Sequence, residues 1–152
     1  MTGRRLRLGA FLPYRLSIAA NAVSRVIAAA YEERFGISVP EWRVIAVLHE
    51  HGSGTQQDLV GLTLMDKVAV SRAAAALVKR RLIDRVQDAD DGRAWRLRLS
   101  KSGEALHRRI APLALDYETQ LLAAFQSREI DALRDMLERL EQAAKGLSAV
   151  RI

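Results

Sequence analysis

Three groups of side chains in this 152-residue chain point to chemistry beyond core packing. Lys67, Ser71 and Arg72 stand on a segment of otherwise small or aliphatic residues, Lys67-Val-Ala-Val-Ser71-Arg72, followed by Ala73 to Ala76. A guanidinium donates two parallel hydrogen bonds, as to the edge of a guanine, and a hydroxyl bonds either base type. Thr55-Gln56-Gln57-Asp58 has the S/T-x-x-D/E spacing that opens a helix. The free amides at such a helix start face an anion, and Gln56 and Gln57 add neutral donors. Arg93 ends the polar stretch Asp88-Ala-Asp-Asp91-Gly92-Arg93, from which a cation can enter the negative potential of a narrow minor groove.

A fourth group has a different character. Tyr14 and Arg15 put an aromatic ring and a cation at the start of an apolar helix, and Trp42 and Arg43 do the same in the next one. Arginine beside aromatic walls suits a small aromatic carboxylate, so Tyr14, Arg15, Trp42 and Arg43 are candidate ligand residues. The plainer alternative is packing by Tyr14 and Trp42, with Arg15 paired to an acid of a partner subunit.

Other chemistries find little support. No nucleophile–base pair stands at a familiar spacing, and neither a phosphate-binding P-loop nor G-x-G-x-x-G is present, so no enzyme and no cofactor is expected. His49-Glu50-His51 does not place both imidazoles on one helical face, and no metal site is expected. The chain has no cysteine, which excludes disulfides, thiolate–metal sites and thiol redox switching.

The elements that would hold these residues follow from periodicity. Leu16, Ala19, Val23, Ile27 and Tyr31 repeat near 3.6 and predict a helix from Pro13 to Phe35, stopped by Gly36. Ser38-Val-Pro-Glu41 reads as a capping box for a second helix, which Gly52-Ser-Gly54 breaks. Thr55 opens a short third helix, Thr63 to Met65 make a tight turn, and Asp66 caps a fourth helix reaching about Arg81. That helix turns Val70, Ala73, Ala74 and Leu77 toward a core. From Ile83 the period becomes two, and 83–87 and 95–99 read as a two-stranded hairpin. Ser100 caps a helix from Lys101 to about Phe125 that Pro112 should kink or split, and Ser127 caps a last helix that Gly146 ends.

Charge follows the same map. The net charge is +6, yet Asp66 to Lys101 alone holds ten basic and five acidic residues. Nearly all the excess lies on the fourth helix and hairpin, which points to an acidic partner there. The expected fold is mainly α with a small β-hairpin wing: a winged helix-turn-helix joined to a helical region. A basic arm (Arg4, Arg5, Arg7) precedes the first helix, and no apolar run reaches the roughly 18 residues of a membrane span. A cytoplasmic location with no membrane partner is expected.

The hairpin carries a more specific signature. Asp91-Gly-Arg93-Ala-Trp-Arg-Leu97-Arg-Leu99-Ser100-Lys-Ser-Gly103 resembles the D-x-R-x-x-x-L-x-L-[TS]-x-x-G wing of the MarR family of bacterial transcriptional regulators. Thr55 to Leu59 and Asp66 to Arg72 resemble its DNA-facing helices, and Ser127 to Leu140 its last helix. The resemblance implies one domain over 1–152, with a DNA-binding lobe at about 38–100 and a helical dimerisation region at about 11–36 and 101–148. It further implies a homodimer on a pseudo-palindromic operator in double-stranded DNA, acting as a repressor and released by a small phenolic or aromatic carboxylate effector. Arg93 would be the wing-tip arginine, Asp91 its supporting acid, and Ser71 and Arg72 recognition residues. One departure is Lys79-Arg-Arg81-Leu-Ile83, where the family commonly has glycine at the position of Arg81. Two other readings fit the same residues: a winged-helix module that docks an acidic protein, and a DNA-binding dimer without ligand sensing.

Overall fold

The computed structural model describes residues 5–149. Arg4 of the basic arm lies outside the described residues, and a single 3-10 turn, Leu8–Ala10, precedes the first helix. Six helices and three strands follow in the order α1 (Leu12–Phe35), α2 (Val39–His51), β1 (Gly54–Thr55), α3 (Gln56–Thr63), α4 (Lys67–Lys79), β2 (Ile83–Gln87), β3 (Trp95–Leu99), α5 (Lys101–Leu121) and α6 (Ser127–Ala149). The chain divides after Pro112 into two compact units.

The first unit holds the core. Tyr31 of α1, Val44, Ile45 and Leu48 of α2, Leu59 of α3, and Val70, Ala73, Ala74 and Leu77 of α4 are buried. Ile83 and Leu97 of the sheet and Leu106 and Ile110 of α5 join them. All four core positions expected on α4 are therefore inside, which leaves its other face outside. The sheet is antiparallel in the order β1-β3-β2, with Arg85 opposite Leu97 and Thr55 opposite Arg96. The third strand corrects the two-stranded reading. Gly54–Thr55 is too short to show an alternation, and its partner β3 lies some forty residues downstream.

Local signals explain most helix ends. Gly36 stops α1 in the left-handed conformation, φ 61°. Ser38 accepts from the Glu41 amide at 3.3 Å, but Glu41 aims its carboxylate at Arg80, so only half of that capping box forms. Helix α4 ends at Lys79 rather than near Arg81, and Arg81 itself takes the left-handed position, φ 58°. The Leu82 amide bonds the Leu77 carbonyl and the Arg81 amide that of Val78, closing the helix as glycine would, with a Cβ present.

This corner is tied to the start of α5. The Ser100 hydroxyl donates to the Arg81 carbonyl at 2.7 Å, and the Ser100 amide to that of Leu82 at 3.0 Å. The same hydroxyl accepts from the Gly103 amide at 3.1 Å, which confirms Ser100 as a cap. Gly103 packs so closely that a Cβ there would fall 2.0 Å from the Leu82 carbonyl oxygen. Pro112 does not split α5, which runs unbroken from Lys101 to Leu121. A proline removes one hydrogen bond from the ladder, and the helix carries that loss without ending.

The second unit, Leu113–Ile152, is described to residue 149. Arg134 meets Glu118 at 3.3 Å across the α5–α6 turn, and the Glu129 carboxylate accepts from the Gln126 amide at 2.8 Å. Ser127 is thus the first helical residue rather than the cap. Gly146 lies inside α6, not at its end; a lone glycine weakens a helix without stopping it. No described residue of α6 is buried, and Leu133, Met136, Leu137, Leu140 and Leu147 form an exposed apolar stripe along it. Among the described residues, no helix is long and apolar enough to cross a membrane.

Candidate nucleic-acid interface

Helix α3 begins with a complete capping box. The Thr55 hydroxyl accepts from the Asp58 amide at 3.1 Å, and the Asp58 carboxylate accepts from the Thr55 amide at 2.9 Å. That amide, then the hydroxyl, holds the Asp58 carboxyl below its usual range. The amides of exposed Gln56 and Gln57 have no acceptor within the helix. The mouth of α3 is therefore a donor array suited to a phosphate.

Helix α4 is capped by Asp66, whose carboxylate accepts from the Ala69 amide at 2.7 Å. Lys67, Ser71 and Arg72 all lie on its exposed side, with Ala75 and Lys79. Val68 joins them at 57% exposed, a position the sequence reading passed over. An aliphatic group on the outer face of such a helix is suited to a thymine methyl. Missing it is understandable, since a valine within an apolar period reads as core.

The wing tip is shaped by two aspartates. Asp88 accepts from the amides of Asp90 (2.8 Å) and Asp91 (3.3 Å), and from the Arg96 guanidinium at 3.2 Å. These bonds, the Asp90 amide first, lower the Asp88 pKa. Asp91 accepts from the Arg93 backbone amide at 3.0 Å, so its bond supports the turn under Arg93. The Arg93 side chain is exposed at the tip.

Arg96 connects these parts and was not singled out from sequence. Its Nε donates to the Ser53 hydroxyl at 3.2 Å, one terminal nitrogen to the Ser53 carbonyl at 3.4 Å, and the other to Asp88. The Asp58 carboxylate stands 3.9 Å away. One guanidinium thus fastens the wing to the capping box of α3. The family motif leaves position 96 open, and only the β1–β3 pairing reveals the role.

The proposed ligand quartet does not converge within one chain. Tyr14 and Arg15 are exposed on the first turn of α1. Trp42 packs edge-on against Tyr31, 5.8 Å between ring centres, toward the other end of the same helix. At 1.5 Å per residue, Tyr14 and Tyr31 are about 25 Å apart along α1. Arg43 is exposed. Beyond Trp42 the rings continue: His107 stacks on it at 5.5 Å, and His49 stacks on His107 at 3.7 Å and bonds Glu104 at 2.8 Å. Burial, then the His49 charge, pushes the His107 pKa down. Among the described residues no three His, Cys, Asp or Glu side chains group to hold a metal.

Comparison with known proteins places this architecture. Residues 35–94 match the family model described as "MarR family". A MarR/EmrR family transcriptional regulator from Acinetobacter sp. ADP1 has a solved structure 27% identical in sequence. It covers 93% of this chain and 99% of its own, with a TM-score of 0.86. A probable transcriptional regulator from Pseudomonas aeruginosa is 30% identical over 88% of this chain and 99% of that one, with a TM-score of 0.74.

The chain belongs to the MarR family.

Among curated sequences, this MarR-family chain is similar to YxaD, an uncharacterized HTH-type transcriptional regulator of Bacillus subtilis (strain 168). The two are 27% identical over 113 residues, 74% of this chain and 79% of YxaD. The chain is accordingly a MarR-family transcriptional regulator with a winged-helix, DNA-binding fold, and its family and fold are not those of enzymes.

Proposed function

We propose that this regulator is a bacterial repressor that acts in the cytoplasm, binds a pseudo-palindromic operator in duplex DNA as a homodimer, and is released by a small ligand. The observation that carries the reading is the outward face of α4. It presents Lys67, Val68, Ser71 and Arg72 while its opposite face is fully committed to the core. Thr55, Gln56 and Gln57 at the mouth of α3 and Arg93 at the wing tip, supported by Asp91, add the contacts to phosphate and minor groove. In this reading 38–100 is the DNA-binding lobe, and 11–36 with 101–148 is the dimerisation region.

Dimerisation is supported by the apolar stripe of α6 and by the exposed Leu12, Leu16 and Ile18 of α1. A helix with no buried residue gains little from packing in a lone chain, and a second copy would cover that stripe. Ligand release rests on the family; within one chain Trp42 of α2 packs on Tyr31, about 25 Å along α1 from Tyr14.

The test is a mobility shift of DNA from upstream of the protein's own gene, repeated across salt concentrations, with sedimentation of the free protein alongside. A specific dimer–DNA complex whose affinity falls steeply with salt supports the reading. Absence of any shift on that DNA and on a random-site library refutes DNA binding. Release by one of a panel of phenolic and aromatic carboxylates tests the ligand step separately.

A further inference from the structure

The outward face of α4 carries Lys67, Val68, Ser71, Arg72, Ala75 and Lys79. Four of these are polar and one is no larger than a methyl. Val68 differs: it is 57% exposed, and a β-branched residue is a poorer helix former than the alanine that fills this helix elsewhere. A lone exposed valine is ordinary on a protein surface, so its place decides what it means.

Val68 is the second residue of α4. The start of that helix is already served by Asp66, whose carboxylate accepts from the Ala69 amide at 2.7 Å. A carboxylate there repels phosphate, so the first turn of α4 suits base edges better than the DNA backbone. Arg72 stands four residues on, which makes the two side chains neighbours on one ridge, about 5–6 Å apart at Cβ. Among the described residues Arg72 enters no ion pair and no side-chain hydrogen bond, so its donors are available to a guanine edge. Base pairs stack about 3.4 Å apart, and the ridge therefore spans one or two base-pair steps. Branching at Cβ restricts χ1, so the γ-methyls of Val68 lose little freedom on contact. Lys67 and Arg72 flank the valine within the most basic stretch of the chain, which favours duplex DNA over an apolar protein face as its partner.

We propose that Val68 is a specificity-determining residue. Its γ-methyls read the 5-methyl group of a thymine in the major groove, one or two base pairs from the guanine that Arg72 contacts. This contact rests on the DNA-binding reading above and adds what each half of the operator must contain: a thymine and a guanine at that spacing.

The experiment uses an operator that the full-length protein selects from a random-site library, located by footprinting. Each thymine in turn is replaced by deoxyuridine, which removes the 5-methyl and keeps the base-pair hydrogen bonds. Synthetic DNA without 5-methylcytosine leaves thymine as the source of that methyl. For the parent protein, deoxyuridine at one thymine of each half-site should weaken binding about threefold to fivefold per half-site, read by mobility shift. Val68→Ala should lose about the same factor on the natural operator and bind the deoxyuridine operator as the parent does. Equal binding there also shows that the variant is folded and keeps its other contacts. Guanines are replaced by 7-deazaguanine, and the one read by Arg72 is the one whose penalty disappears in Arg72→Gln.

The proposal is overturned by an operator in which no thymine responds to deoxyuridine, or by a Val68→Ala protein that keeps the deoxyuridine penalty. It is equally overturned by a variant weakened to the same extent on both operators, or by the absence of an Arg72-dependent guanine within two base pairs of the sensitive thymine. In each of these cases the protein still binds DNA and only the thymine contact fails. Binding to no DNA at all refutes the DNA-binding reading and this contact with it.

Discussion

Replacing Gly103 with alanine tests the corner that joins the end of α4, the base of the wing and the start of α5. An added Cβ would lie 2.0 Å from the Leu82 carbonyl oxygen, 3.1 Å from its carbon and 3.2 Å from Leu99 Cδ2. Carbon and oxygen rest at about 3.3 Å or more, so α5 must withdraw by about 1 Å or the backbone at Leu82 must turn away. The obstacle is backbone, not the tip of a flexible side chain. Forcing such a fit costs about 1–3 kcal/mol, and disturbing the 3.0 Å bond from Ser100 to Leu82 costs about another 1 kcal/mol. Alanine's better helix propensity returns at most about 1 kcal/mol. The net expectation is a loss of about 1–3 kcal/mol, or a fall of about 2–12 °C in melting temperature for a chain of this size. Circular dichroism melts at one fixed protein concentration measure it. Gly61 is the internal control: it lies within α3, a Cβ there meets nothing within 4 Å, and Gly61→Ala should raise the melting temperature. A Gly103→Ala protein as stable as its parent would refute the close approach of α5 to Leu82.

Four other perturbations have defined outcomes. Arg93→Ala should weaken operator binding about tenfold, read by mobility shift, with an unchanged melt, because the tip is exposed. Arg81→Gly should stabilise the fold by about 1 kcal/mol in a denaturant titration, by removing a Cβ from a left-handed position. Because the His107 pKa is below its unfolded value of 6.5, folding favours the neutral ring; stability should therefore fall as pH drops below about 6.5, and His107→Phe should flatten that part of the melting curve against pH. Arg96→Met should speed hydrogen exchange across 88–94 and lower DNA affinity while α4 stays protected, since it cuts the tie from the wing to Ser53 and Asp88.

What could be read in advance was what nearby residues decide. Asp66 three positions before Ala69, the reciprocal Thr55–Asp58 pair and the buried quartet on α4 are all local patterns, and the structure reproduces them. The wing likewise follows from alternation around a polar turn. Long-range partners were not legible. Nothing adjacent to Trp42 announces His107, and nothing adjacent to Ser53 announces Arg96. Arg81 shows a different limit: it stands where the family commonly has glycine, and the ties from Ser100, remote in sequence, hold its backbone in the glycine-like conformation. Pro112 leaves α5 continuous over 21 residues, because its remaining turns hold the helix together across the lost hydrogen bond. Within one chain the ligand quartet is spread out by the length of α1 between Tyr14 and Tyr31, a spacing that no local pattern announces.

The positions of the two tryptophans make the molecule its own optical instrument. Trp42 is enclosed between Tyr31 and His107, whereas Trp95 stands 56% exposed on the wing strand. Indole emission shifts to longer wavelength in water, and a protonated imidazole in contact with it quenches emission. The blue edge of the spectrum therefore reports the protonation of His107 and the red edge reports what touches the wing. Without any attached dye, Trp95→Phe and Trp42→Phe would separate the two signals.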